Sequence, residues 1–227
     1  MLGFVFGFDD GKASFSLIPY LANMLKFAIL SLIVLFVYYR IQKYFAKRAG
    51  ALTKIHLWKA GNFKFPFQKK KTQLSLWLIV PIIVSLLSLG QIFFAAVLST
   101  EIIVKPAYRV GRKFRRLSEF EYAKINVSAP IVLILIALVL NPFPIFKDIV
   151  LITSMVSIFS MLPLPKLPGI EIFFGSRALY VFSIAFILII AAILKLQSLP
   201  SFSILILALF IAIVIFIVFL WNFYKRR

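Results

Sequence analysis

The chain has 227 residues, 63% of them hydrophobic, and a mean hydropathy of +1.03. Average soluble domains are roughly 45–50% apolar, so this composition excludes an ordinary soluble globule and points to one integral membrane domain. The absence of cysteine excludes disulfides and thiolate metal sites. The formal charge is +19, from 26 Lys and Arg against 7 acids; in a membrane chain such an excess reads as cytoplasmic loops and contact with anionic lipid headgroups rather than nucleic-acid binding.

Residues 1–16 hold Asp9 and Asp10 but no basic n-region, and no A-x-A-like site ends the first apolar run. That run is therefore expected to stay as an anchor, with residues 1–39 forming an N-terminal segment and the first span, at 17–39. Lys26 lies inside this span and is expected to snorkel outward rather than pair within the bundle. Residues 40–73 hold ten basic residues and no acid, as expected of a cytoplasmic loop. Residues 74–104 are apolar but interrupted by Pro81 and Gly90. They are too short for two spans of about 20 residues, so a broken or re-entrant hairpin is expected, with a single tilted span as the other possibility. A second basic loop follows at 105–124. Its run R-V-G-R-K-F-R-R supplies Arg109, Arg112, Lys113, Arg115 and Arg116 as candidate contacts to anionic lipid, worth about 1 kcal/mol each near the surface.

Further spans are predicted near 125–139, 149–162, 177–194 and 202–221. The expectation is an all-α, polytopic protein of about five to six transmembrane helices. Every basic cluster then faces the cytoplasm, together with the C-terminal tail, and the N-terminus lies outside, as for a multi-pass protein of the cell membrane.

Chemistry-bearing residues are few. His56 is the single histidine, lies beside Trp58, and reads as an interfacial side chain next to an aromatic anchor. Glu101 ends an apolar segment. It is a candidate intramembrane carboxylate, unless it sits at the interface with Lys105 one helical turn away. No P-loop, G-x-G-x-x-G or G-x-S-x-G occurs in the chain.

Residues 160–169 read S-M-L-P-L-P-K-L-P-G. This stretch resembles the N-x-x-P-x-x-x-L-D-G motif of the site-2 proteases, the intramembrane zinc metalloproteases of family M50. Two further blocks add to the likeness. Residues 43–58, K-Y-F-A-K-R-A-G-A-L-T-K-I-H-L-W, resemble the stretch that follows the zinc-binding HExxH helix in archaeal-type members. Residues 121–135, E-Y-A-K-I-N-V-S-A-P-I-V-L-I-L, look like the A-G-P-x-A-N helix start, with Ser128, Ala129 and Pro130 for Ala-Gly-Pro and Leu133 for the Asn. The resemblance covers about residues 38–182, with a family-like core at 125–182 and C-terminal spans and a basic tail at 183–227.

Aligned on these blocks, the histidine positions of HExxH fall on Tyr38 and Gln42, and the general-base glutamate on Tyr39. The metal-binding aspartate falls on Pro168, and the preceding asparagine on Ser160. A catalytic zinc takes three protein ligands and an open water position, so none of these degenerate positions supplies what the reaction needs. The resemblance thus implies a pseudoprotease with no metal and no cofactor, which binds transmembrane segments or membrane partners. Ser160, Pro163, Pro165 and Glu101 are candidates to face the substrate or partner. The three prolines Pro163, Pro165 and Pro168 either preserve a substrate-facing loop or simply end a span with a rigid turn. The alternative function is a small transporter or channel component that uses Glu101 in a broken segment; an active protease is the third.

Overall fold

The computed structural model describes residues 1–7, 17–63, 72–88, 93–96, 98–104, 117–196 and 200–225. In chain order it contains α1 (Leu2–Gly7), α2 (Leu17–Arg48), β1 (Ala51–Leu57), β2 (Ala60–Phe63), β3 (Thr72–Leu74), α3 (Leu76–Leu87) and β4 (Leu98–Val104). Then come α4 (Glu119–Leu140), a 3-10 turn at Pro144–Phe146, α5 (Lys147–Ser160), α6 (Pro168–Gly175), α7 (Arg177–Leu196) and α8 (Ser201–Lys225). Four helices, α2, α4, α7 and α8, are long and apolar enough to cross a bilayer, which fits a mostly helical membrane protein.

The helix α4 is the centre of the bundle: 61% of its apolar window is buried, against 17% for α2 and for α8. Lipid is as apolar as leucine, so close helix packing relies on small residues. Ala123, Ala129 and Ala137 are fully buried on α4, as are Ala208 and Ala212 on α8. One apolar cluster joins α4, α5, α7 and α8 through Ile134, Val150, Ile187, Ile190 and Ile204. A second joins α1, α2, α4 and α5 through Phe6, Phe27, Leu133 and Ile152. The helix α1 fits against α2 because Gly3 and Gly7 leave room for Met24 and Ala28.

Four expectations change. The helix that holds the first span does not end at residue 39: α2 continues to Arg48, so the aligned HExxH positions lie inside a helix. At 32 residues it is about 48 Å long, which exceeds a hydrocarbon core of about 30 Å, so its basic last turns extend past it. The second correction concerns 40–73 and 74–104. Both segments contain paired strands. Ala51–Leu57 and Leu98–Val104 pair as an antiparallel ribbon, with Leu52 opposite Ile103, Lys54 opposite Glu101 and His56 opposite Ser99. Between them, β2 pairs with β3, and α3 is a 12-residue helix containing Pro81. The all-α expectation therefore gains two small sheets.

The third correction is the start of α4. Ser118 accepts from the Glu121 backbone N–H, and the Glu121 carboxylate accepts from the Ser118 N–H. This capping box begins the helix at Glu119, inside the predicted loop 105–124. Fourth, the predicted span 149–162 is the 14-residue helix α5, about 21 Å long and short of a full crossing. Lys26 on α2 also departs from expectation: instead of snorkelling free, it forms an ion pair with Asp148 at the start of α5. The candidate lipid contacts Arg109, Arg112, Lys113, Arg115 and Arg116 lie outside the described residues.

Candidate functional site

The Pro-rich stretch closes α5 and opens α6. Leu167 N–H donates to Leu164 O at 3.0 Å, with Pro165 second in the turn and Lys166 third at φ 67°. That is the pattern of a type II turn, which prefers proline at its second position and a residue tolerant of positive φ at its third. The Trp58 indole N–H donates to Pro165 O at 2.9 Å. Trp58 is buried against Phe94, Ala96 and Leu167, so it is a brace for the turn and not the interfacial anchor expected. Gly169 begins α6 against the carbonyls of Met161 and Leu162, where any Cβ would stand 2.3–2.4 Å from backbone oxygens.

Beside this turn lies a buried chain of polar side chains. Gln42 Nε2 on α2 donates to Asn126 Oδ1 at 2.8 Å, and Thr100 Oγ1 on β4 donates to the same oxygen at 3.0 Å. Asn126 Nδ2 on α4 donates in turn to Glu171 Oε2 on α6 at 2.5 Å. Gln42, Thr100 and Asn126 are all buried. Asn126 is thus the hub through which four elements share hydrogen bonds. Pro130 lies one turn further along α4 and has no N–H to offer the Asn126 carbonyl, so the helix is weakened at the level of the hub.

The polar chain opens on a cleft of about 630 Å³ between the β1–β4 ribbon and the α4–α6 side. Glu171 and Thr100 line it, with Tyr122, Lys166, Lys59, His56 and Glu101 around them. At its mouth the exposed His56 and Glu101 side chains approach to 3.2 Å across the ribbon. Glu101 is therefore on a strand, and its expected pairing with Lys105 on one helical face does not apply.

The chemistry of these groups is that of hydrogen bonding. Burial pushes the Glu171 carboxyl above its ordinary value of 4.5, and the bond from Asn126 partly opposes this. A proton is then held more tightly in the folded than in the unfolded chain, so the stability that this group contributes is fully present below about pH 4.5 and is lost as pH rises through the folded value. Glu171→Gln should flatten that fall. Melting temperatures of both proteins in detergent, compared between about pH 4 and about pH 7, would show it; parallel curves would refute it.

The aligned positions converge at the same end of the bundle. Tyr38 and Ser160 line one small cavity of about 10 Å³ with Leu35, Ala95, Ala96, Leu98, Val156 and Leu167, the lower limit for one water. The Tyr38 hydroxyl is buried beside Ser160, and Gln42 Oε1 is buried with no hydrogen-bond partner among the described residues. Pro168 is buried at the first turn of α6, three residues before Glu171. Tyr39 points elsewhere: it lines an open groove between α2 and β1, with Lys43 over its ring at 5.4 Å. Such a set does not fit a zinc ion, which needs three ligands drawn from imidazole, thiolate or carboxylate. Among the described residues no group of three His, Cys, Asp or Glu comes together.

No family model, curated protein or solved structure matches the chain.

The remaining candidates are divided. Ser160 is buried and bonds back to the Ser157 carbonyl at 2.9 Å. Pro163 and Pro165 are exposed, and Pro165 borders a side recess shared with Glu119, Lys166 and Glu171. Asn126 and Thr100 belong to the site although no motif points to them. The sequence does hold a clue to Asn126: it is the one amide in the 22 residues of α4.

Proposed function

We propose that this chain is a non-catalytic, site-2-protease-like membrane protein that holds transmembrane segments of partner proteins at its cleft. One observation carries the reading. Tyr38, Gln42 and the turn from Ser160 to Glu171 lie more than a hundred residues apart in the chain, yet they meet at one end of the bundle. In the resemblance these are the positions of the two histidines and the aspartate. Here they are filled by a phenol, an amide and a proline, and hydrogen bonds through Asn126 join the elements that a metal would otherwise bridge. The end that carries them also carries Arg40, Lys43, Lys47 and Arg48 on α2, which supports a cytoplasmic orientation for it.

The transporter reading needs a carboxylate inside a span, and the Glu101 side chain is 63% exposed on the ribbon. The pseudoprotease reading needs none.

The test is metal content of the purified protein, run beside cleavage of a single-span model substrate and photo-crosslinking to that substrate. The reading expects zinc far below stoichiometric, no cleavage, and a crosslink from the cleft. Stoichiometric zinc with cleavage would overturn it.

A further inference from the structure

The polar chain behind the cleft is short of donors. Asn126 Oδ1 already accepts twice, from Gln42 and from Thr100. Gln42 Oε1 is fully buried and accepts from nothing among the described residues. The Glu171 carboxylate receives the Asn126 amide, and among the described residues no cation lies within ion-pair distance of it. A half-buried carboxylate with one neutral partner is incomplete: a nearby opposite charge favours the ionised form, and among the described residues no cation supplies one.

The cations already present do not answer this need. His56 is engaged with Glu101 at the mouth. Lys59 and Lys166 line the cleft but are exposed, and the φ of 67° at Lys166 belongs to the turn that Trp58 braces. Among the described residues, a carboxylate without a cation inside a cleft of this size stands out.

The location indicates what would fill it. The cleft is lined by the β1–β4 ribbon, whose first strand directly follows the basic last turns of α2. Partner segments crossing the same membrane carry Lys and Arg next to their spans on the cytoplasmic side, by the same rule that places this chain's own. We propose that the cleft takes the cationic side chain, Lys or Arg, that flanks a partner's transmembrane segment, with Glu171 as its counter-ion and Asn126 holding that carboxylate in place. This rests on the pseudoprotease reading for the partner's class, but the cation subsite stands on the cleft itself.

The experiment uses the full chain in lipid nanodiscs and two synthetic peptides. Each has an apolar span of about 20 residues. One is flanked by a single Arg at the headgroup level, the other by Gln at the same place. The wild-type protein should bind the Arg peptide about tenfold more tightly, as one charge-assisted bond allows. Glu171→Gln should erase that difference while keeping its melting transition, because Gln still accepts from Asn126. Methylguanidinium alone should raise the melting temperature of the wild type more than that of the variant.

The outcomes separate the two claims. If both peptides bind equally and methylguanidinium does not distinguish the proteins, the cation subsite is wrong and the segment-binding reading stands. If neither peptide binds but methylguanidinium does distinguish them, the subsite is right and the segment-binding reading falls. If a peptide with Glu in place of Arg binds best, Lys59 and Lys166 set the preference and the proposal is overturned.

Discussion

Asn126→Leu should destabilise the protein by about 2–4 kcal/mol. The substitution removes three hydrogen bonds at once. It leaves the Gln42 amide, the Thr100 hydroxyl and the Glu171 carboxylate without their partner, and a buried polar group stripped of its bond costs about 1–3 kcal/mol. The lower half of that range is set by measurements within membranes, where single interhelical bonds average only about 0.6 kcal/mol. Thr100→Val removes one donor and should cost about 1 kcal/mol. Reversible unfolding in mixed micelles, followed by far-UV circular dichroism, gives both values. Equal and negligible losses would mean that the hub contributes nothing to holding α2, β4, α4 and α6 together.

The second large effect is expected at Gly169. An alanine methyl there would sit 2.3 Å from the Met161 carbonyl oxygen and 2.4 Å from that of Leu162. Both are backbone atoms at the end of α5, so relief requires α6 to move bodily. Overpacking of this kind costs about 1–3 kcal/mol and sometimes more; here the upper end applies, because no rotamer change can relieve it. Trp58 reports the movement. Its indole is held by Pro165 and buried beside Leu167, so displacement of the turn should wet the ring and shift its fluorescence to the red. Pro163→Ala is the control, an exposed position just before that turn, expected within about 0.5 kcal/mol of wild type. If Gly169→Ala behaved like the control, the close approach of α6 to Met161 would be wrong.

Legibility in the residues differs from one element to the next. The spans are legible because a run of roughly 20 apolar residues is what a bilayer crossing requires and what a soluble fold seldom contains. The ribbon is harder to read, although its signal is present. In L-S-T-E-I-I-V, Thr100 and Ile102 are buried and Glu101 between them is exposed, the period of two that marks a strand. Embedded in a longer apolar run, that alternation is masked and resembles a broken membrane segment. The start of α4 is hidden for a similar reason. Glu119 and Glu121 look like charges set against a basic loop, whereas Glu121 serves Ser118 as the second half of a capping box.

Of the aligned positions, Gln42 joins the polar chain and the others do not. Tyr38 and Ser160 face a closed space, while the hydrogen bonds are made by Gln42, Asn126, Thr100 and Glu171. No spacing rule connects residues 42, 100, 126 and 171; only the packing of α2, β4, α4 and α6 does. Leu133 stands where the resemblance would put an interior amide, yet Asn126, two turns earlier on the same helix, supplies one.

The position of the last two helices has a bearing on biosynthesis. The residues that line the cleft and form the polar chain lie between positions 42 and 171, whereas α7 and α8 begin at Arg177 and Ser201. The part of the chain that carries the site is therefore synthesised before α7 and α8. Arg177–Leu196 and Ser201–Lys225 then close over the far side of α4 through Ile187, Ile190 and Ile204. In the order of synthesis these helices follow every residue of the site, and a ribosome stalled before residue 177 would carry the full set of site residues.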